Sequence, residues 1–353
     1  MGYQSDNGWT GIGTLIDRAL AGLRTWRFWL SLGISIVCLV LVFWGVDVQE
    51  FTSALRAAEY VWLLPAIGLL AGSLAVRTLR WRVLFFPQTG LRFATLFHVL
   101  NVSYLINNIL PVRAGDLIRA SLISTREPVS ASRALATVVV ERVFDGLTLV
   151  LMLAFLLPLF PVPEWVARIG QVAGVFLASA GVGLLVLSTQ RARSVRWAHA
   201  ILGRVPRIDG LRWAERVDGL VDGLAALRSP AALGQAGVWS VVVWLLSGVA
   251  YYFVLRAFDL HLSITAGLFV LAVTTLVLIV PATPGYVGVF DYTAVLALSV
   301  FGVERSLALS CAIVLHAVSY VTFSAMGIMS LVRESLSLSG VASLDVEALR
   351  IET

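Results

Sequence analysis

The stretch ATVVVERVFDGLTLVLMLAFLL (136–157) decides the class of this protein. It is long enough to cross a hydrocarbon core about 30 Å thick, yet it carries Glu141, Arg142 and Asp145. An arginine at membrane depth costs roughly 2.5–3.5 kcal/mol even on lenient insertion scales, so it normally faces a protein interior or a wet cavity. On a helix, Glu141 and Asp145 are four apart and Arg142 and Asp145 three apart, so they share one side. The stretch reads as a polar site buried among transmembrane helices. The plainer alternative is a structural ion pair of Arg142 with Asp145 that only joins helices.

Composition supports the class. The 353 residues are 59% hydrophobic and 13% charged, with a mean hydropathy of +0.89; a soluble protein carries about 25% charged residues. All 26 basic residues are arginine, which excludes Schiff-base chemistry and a Walker lysine. Cys38 and Cys311 lie in separate apolar stretches and read as packing residues. His98, His199, His261 and His316 lack ligand spacing, so neither a metal nor a cofactor is expected. No nucleic-acid partner is expected.

Apolar runs fall at 29–46, 61–76, 93–110, 134–157, 168–188, 236–255, 264–281, 287–302 and 306–332. The segments between them differ in charge. One set holds Arg18, Arg24 and Arg27, then Arg77, Arg80, Arg82 and Arg92, then Arg126 and Arg133, then 190–235 with eight arginines and four acids, and finally Arg333. The other holds Asp47, Glu50, Arg56 and Glu59, then Glu164, Arg256 and Asp259, then Glu304 and Arg305. The positive-inside rule makes the first set cytoplasmic, with both termini. Trp26, Trp29, Trp44, Trp62, Trp81, Trp165 and Trp239 fall near span ends, as in an aromatic belt. The segment 1–28 reads as a retained cytoplasmic anchor flank, 29–332 as the transmembrane domain and 333–353 as a cytoplasmic tail, in the cell's inner membrane.

This sidedness has a consequence. The loops at 77–92 and 126–133 are both cytoplasmic, yet the apolar segment 93–110 lies between them. The chain must dip in and return, pivoting at NNILPVRAGD (107–116), where Pro111 and Gly115 break the helix. The segment 264–302 repeats this from the outside, pivoting at VPATPGYVGVFD (280–291). The expected fold is an all-α polytopic transmembrane bundle, with about six full spans and two re-entrant helical hairpins in an inverted repeat. Broken segments at matching positions of inverted halves point to a transporter binding site. The alternative is that one of the two segments simply crosses. Within 190–235, Trp213, Val217, Leu220, Val221, Leu224 and Leu227 recur at helical spacing. That amphipathic helix lies on the cytoplasmic leaflet or packs on the protein's own base.

Four motifs, in this order, resemble one known family: RTLRWRVL (77–84), NNILPVRAGDLIR (107–119), SRALATVVVERVFD (132–145) and PGYVGVFD (284–291). The chain resembles the lysylphosphatidylglycerol synthase transmembrane region, also called flippase-like, from about residue 29 to 332. The resemblance implies an integral membrane protein that moves lipids or lipid-linked molecules between leaflets. Two positions depart from the family pattern. Asp291 stands where the family usually has Glu, and His316 lies near a position that often holds Arg. Some relatives carry a fused aminoacyl-transferase, and the short segment after Arg333 leads us to expect no lipid aminoacylation.

Moving a charged head group through hydrocarbon requires groups that replace water. Arginine grips phosphate with two parallel N–H bonds and stays charged. Arg113, Arg119 and Arg142 are the expected head-group contacts, held in place by Asp116, Glu141 and Asp145. Asn107 and Asn108 supply neutral hydrogen bonds, and Gly285 and Gly288, ahead of Asp291, leave backbone N–H groups free for phosphate oxygens. Arg77, Arg80 and Arg82 read as topology and surface-phosphate residues. Asp116 with Arg119 has a plainer reading as a cap, and His316 reads as a packing residue or a proton-linked one. The expected function is a lipid transporter acting on an anionic or lipid-linked amphiphile. Two alternatives stay open: a membrane-embedded enzyme acting on a polyprenyl-phosphate-linked substrate, and an accessory subunit of a lipid-biosynthesis enzyme. A homo-oligomer is also open.

Overall fold

The computed structural model describes residues 26–110, 114–160, 164–190, 192–193, 195–196, 210–277 and 284–334. The regular elements among them are helices, because a lipid-facing backbone must satisfy its hydrogen bonds within the segment. α1 (Trp26–Phe43) and α2 (Val48–Ala57) meet at a bend of 87°. Asp47 makes the corner by capping α2, accepting from the N–H of Gln49 at 2.7 Å.

Five long apolar helices follow the expected runs: α3 (Leu63–Leu84), α6 (Ala131–Leu156), α7 (Glu164–Thr189), α9 (Pro230–Ala257) and α12 (Arg305–Arg333). The α1–α2 pair makes a sixth span if the bent pair is taken as one. The starts are encoded locally. Ser130 caps α6, Ser229 with Pro230 opens α9, and Glu304 caps α12.

Between the long helices lie two helical hairpins. In the first, α4 (Phe93–Ile109) packs on α5 (Ala114–Arg126), and their open ends meet. Arg92 Nε donates to Glu127 Oε1 at 3.0 Å, and Gln88 Nε2 donates to the Pro128 carbonyl at 2.8 Å. In the second, α10 (Ile264–Val277) packs on α11 (Val289–Ser299), and Phe269 meets Phe301 with ring centroids 5.6 Å apart. α6 starts just after the first open end. Phe160, just beyond its far end, packs edge-on against both Phe269 and Phe301. α6 therefore links one open end to the other, and the hairpins point toward each other. Their closed ends also approach: a Cβ built on Gly285 would lie 3.9 Å from the Asn108 carbonyl oxygen.

α8 (Gly210–Gly223) is the amphipathic helix, and it packs on the start of α6. Val221, Leu224 and Leu227 are buried there, and Ser188 Oγ donates to the Leu224 carbonyl at 2.9 Å. The main apolar core joins α3, α9, α10, α11 and α12.

The structure corrects one group of surface assignments. The helix that contains the apolar run 61–76 does not stop there but continues to Leu84. Arg77 and Arg80 are buried within the bundle and are not loop residues, and Trp81 is fully buried rather than part of an aromatic belt.

Candidate functional site

Three helices present polar residues at i, i+3 or i, i+4 spacing toward a common centre: Arg77 and Arg80 on α3, Glu141 and Asp145 on α6, Ser240 and Trp244 on α9. Arg119 arrives from α5. Arg80, Arg119 and Glu141 are essentially inaccessible to solvent. Both oxygens of Glu141 are engaged, one by Arg80 at 3.0 Å and one by Arg119 at 2.7 Å. Arg119 also lies flat over Trp81, its guanidinium carbon 3.7 Å from the ring centroid. Asp145 Oδ1 accepts from Arg80 Nη1 at 2.5 Å and from Trp244 Nε1 at 3.1 Å. Such pairs persist away from water only when each charge is matched and hydrogen-bonded.

The outer part of the cluster is looser. Arg142 grips Asp116 with two nitrogens, Nη2 at 2.7 Å and Nε at 3.2 Å, and Asn107 Nδ2 supports the same carboxylate at 3.2 Å. Its expected partner Asp145 is 3.9 Å away, so the principal ion pair of Arg142 reaches across to α5. Arg77 also stops 3.9 Å from Asp145. It is held between the rings of Trp244 and Tyr104, 4.8 and 5.7 Å from their centroids. Asp145 Oδ2, facing both arginines, has no hydrogen-bond partner, nor has Arg77 Nε. Four guanidinium groups (Arg77, Arg80, Arg119, Arg142) thus meet three carboxylates (Asp116, Glu141, Asp145), leaving one positive charge among the described residues.

This surplus faces a cavity of about 390 Å³. Arg77, Arg142 and Asp145 line one side. Asn107, Asn108, Gly285 and His316 line the end where the hairpin tips meet. Leu149, Leu177, Leu271 and Phe323 make apolar walls. Phe176 lines the cavity while 68% exposed, so the cavity reaches the outer face of the bundle beside α7.

At the second tip, Asp291 Oδ2 accepts from the N–H of Gly288 at 3.0 Å, and Oδ1 lies 3.1 Å from His316 Nδ1. His316 Nε2 lies 2.7 Å from the Gly285 carbonyl. Asn108 Nδ2 donates to Ser324 Oγ at 3.0 Å, tying the first tip to α12.

Of the residues singled out in the sequence, Asn107, Asn108, Arg142, Asp145, Gly285 and His316 line the cavity. Asp116 and Asp291 hold residues that do. Arg119 and Glu141 lie behind it, in the sealed part of the cluster. Gly288 packs against α1 instead: an added Cβ would meet the Ser35 carbonyl at 2.7 Å. Arg113 and Pro111 lie outside the described residues, as do 280–283 of the second pivot. Tyr104, Trp244 and Tyr251 are lining residues that the sequence did not flag, and Arg77, read there as a surface residue, also lines the cavity. The three-residue spacing of Arg77 and Arg80, which puts both on one helix face as the four-residue spacing does for the acids on α6, is the signal that marks the arginines.

Comparison with known proteins places the chain. The model of the lysylphosphatidylglycerol synthase TM region matches residues 28–327. A UPF0104 membrane protein of Methanothermobacter thermautotrophicus is 27% identical, over 84% of this chain and 93% of its own length. A UPF0104 membrane protein of Methanocaldococcus jannaschii is 25% identical over 61% of this chain. The glycosyltransferase AglD of Haloferax volcanii is 23% identical over 87% of this chain, which spans 54% of AglD. No solved structure matches.

Proposed function

Because the chain belongs to the family of the lysylphosphatidylglycerol synthase transmembrane region, a multi-pass membrane family, we propose that it transports a lipid. Its cargo is an anionic or lipid-linked amphiphile, which crosses between leaflets through the central cavity. The observation that supports this reading most is the surplus positive charge. Arg77 and Arg142 line a cavity with apolar walls, and each stops 3.9 Å from one carboxylate oxygen. A phosphate oxygen fits the donors that neither arginine has engaged, and a guanidinium keeps its charge at any relevant pH. The exposed rim at Phe176 gives acyl chains a lateral way in.

In this reading the hairpins are re-entrant from opposite faces of the inner membrane, the two halves are an inverted repeat, and both termini are cytoplasmic. The test is reconstitution into liposomes with fluorescent phosphatidylglycerol and phosphatidylcholine, scored for leaflet exchange. Exchange of the anionic lipid that disappears in Arg77→Gln supports the reading. Exchange no faster than in protein-free liposomes would refute it.

A second reading has one observation in its favour, the relative named a glycosyltransferase. It takes this chain as an enzyme on a polyprenyl-phosphate-linked substrate. Incubation with a polyprenyl phosphate and nucleotide sugars, followed by mass spectrometry of the lipids, separates the two.

A further inference from the structure

We propose that the Asp291–His316 pair binds a proton that travels with the anionic cargo, so that lipid movement is coupled to proton movement. The proposal rests on the transport reading above and adds the co-substrate. The hydrogen-bond geometry carries it. The Gly285 carbonyl cannot donate, so His316 Nε2, 2.7 Å away, holds a hydrogen and gives it to that oxygen. His316 Nδ1 then faces Asp291 Oδ1 at 3.1 Å. A neutral ring with its hydrogen on Nε2 offers only a lone pair at Nδ1, and an ionised carboxylate offers only lone pairs. The contact therefore contains one more proton, and the pair as drawn is neutral overall. The second carboxylate oxygen is already engaged by the Gly288 N–H.

Loss of that proton has two effects. The ring and the carboxylate repel, so one of the two contacts that fasten His316 to the second tip must open. Gly285 and Gly288 hold φ of 72° and 84°, so both contacts reach the kinked part of the tip. The pair also becomes negative and cancels the one surplus positive charge of the arginine cluster. Proton and anion thus favour each other, and by linkage each raises the other's affinity equally.

The groups that share the cavity with His316 are Arg77 of α3, Tyr104 of α4, Arg142 and Asp145 of α6, Tyr251 of α9, and Tyr286 and Tyr320. Tyr292 follows Asp291 on α11. Farther off, Asp47 and α2, with Glu50 and Arg56, adjoin Ser306 and Ser310, about 9 Å or more along α12. His98 sits at the opposite end of α12, beside Ser330. Arg256 lies over Trp62, outside the cavity lining. Among the described residues, Asp291 is the one carboxylate in hydrogen-bond contact with the ring.

The experiment uses the full chain in phosphatidylcholine vesicles. Exchange of a fluorescent phosphatidylglycerol and of a fluorescent phosphatidylcholine is followed across about pH 5 to 8, the range in which histidine titrates. An internal pH dye records proton movement. Wild type is expected to lose phosphatidylglycerol exchange as pH rises. Its apparent affinity should fall by up to about tenfold per pH unit, the limit for one linked proton. Internal pH should shift in step with phosphatidylglycerol exchange, and phosphatidylcholine exchange should not follow that profile. His316→Gln, whatever its absolute rate, should flatten the profile and abolish the proton signal. Should it not fold, His316→Arg, which fixes the charge, should flatten the profile in its place. A flat wild-type profile without proton movement overturns the proposal. So does a variant that keeps the wild-type profile, or phosphatidylcholine exchange with the same pH dependence. If neither lipid exchanges at any pH, the transport reading fails. Proton uptake on phosphatidylglycerol binding to detergent-solubilised protein then decides the pair by itself: uptake that vanishes in His316→Gln upholds the linked site, and no uptake overturns it.

Discussion

Arg77 and Arg80 lie three residues apart on one helix and leave different residues behind when removed. Arg80 neutralises Glu141 and Asp145 at 3.0 and 2.5 Å with no exposure. Arg80→Gln strips charge from two buried carboxylates and should destabilise the fold by about 3–5 kcal/mol, seen as a collapse in melting temperature and expression. Arg77 has only the 3.9 Å approach to Asp145 and two aromatic faces. Arg77→Gln removes the surplus charge without orphaning a paired acid. It should therefore fold with a melting temperature near wild type and lose anionic-lipid exchange by tenfold or more, about the worth of one charge-assisted hydrogen bond. Equal losses of stability and exchange in both variants would make Arg77 a structural residue. The acids were legible in the sequence because they stand inside a long apolar run. The arginines were not, because Arg77 directly follows an apolar run and counts equally well as a loop charge; only the helix that continues to Leu84 turns it inward.

Helix ends and tips separate local encoding from packing. The breaker at 284–288 was legible because proline and glycine punctuate apolar runs, and Gly285 there leaves helical geometry. Gly115, expected as a breaker, instead lies in the first turn of α5, packed against the Ser103 carbonyl and Asn107 of α4. What the tips touch was not legible. Gly288 looks like a backbone left open for phosphate, but its φ of 84° and the Ser35 carbonyl leave no room for a side chain. Gly288→Val should therefore push α1 away and lower stability as well as exchange. Purified variant with a wild-type melting temperature would contradict that packing. The amphipathic helix is a similar case: periodicity gives α8 its apolar stripe but not whether lipid or α6 covers it. At the N-terminal end of α12, Glu304 accepts from the N–H groups of Ser306 and Leu307 at 2.8 and 3.1 Å. Slight burial pulls its carboxyl up, and those N–H groups outweigh this and hold it below its ordinary value. A carboxylate with a lowered folded pKa stabilises above its unfolded pKa and loses that contribution as pH falls through the folded value. Glu304→Gln should remove this acid-side part of the stability profile, a difference readable in thermal melts between about pH 3 and 5.

At the scale of the whole molecule the question is which face each hairpin enters. Charge counting suggests sides for the hairpins because loops 85–92 and 126–133 each carry a net positive charge, whereas in 256–263 Asp259 balances Arg256. The contacts agree with a return in each case: Arg92 meets Glu127 at one open end, and Phe269 meets Phe301 at the other. α6 is 26 residues long, or about 39 Å at 1.5 Å per residue, enough to put the two open ends on opposite faces of a bilayer. Single cysteines at exposed positions in a background lacking Cys38 and Cys311 test this directly. Thr89→Cys and Pro128→Cys flank the first hairpin, and His261→Cys and Ser299→Cys flank the second. Treatment of intact cells with a membrane-impermeant maleimide should label positions 261 and 299 and spare 89 and 128, which should label only after the membrane is opened. If 89 and 128 fall on different sides, the first segment crosses and the inverted repeat is lost. If all four label together from outside, both hairpins return but enter from one face. The closed ends could then not approach from opposite leaflets, and a central cavity between two tips would have no route to the second leaflet.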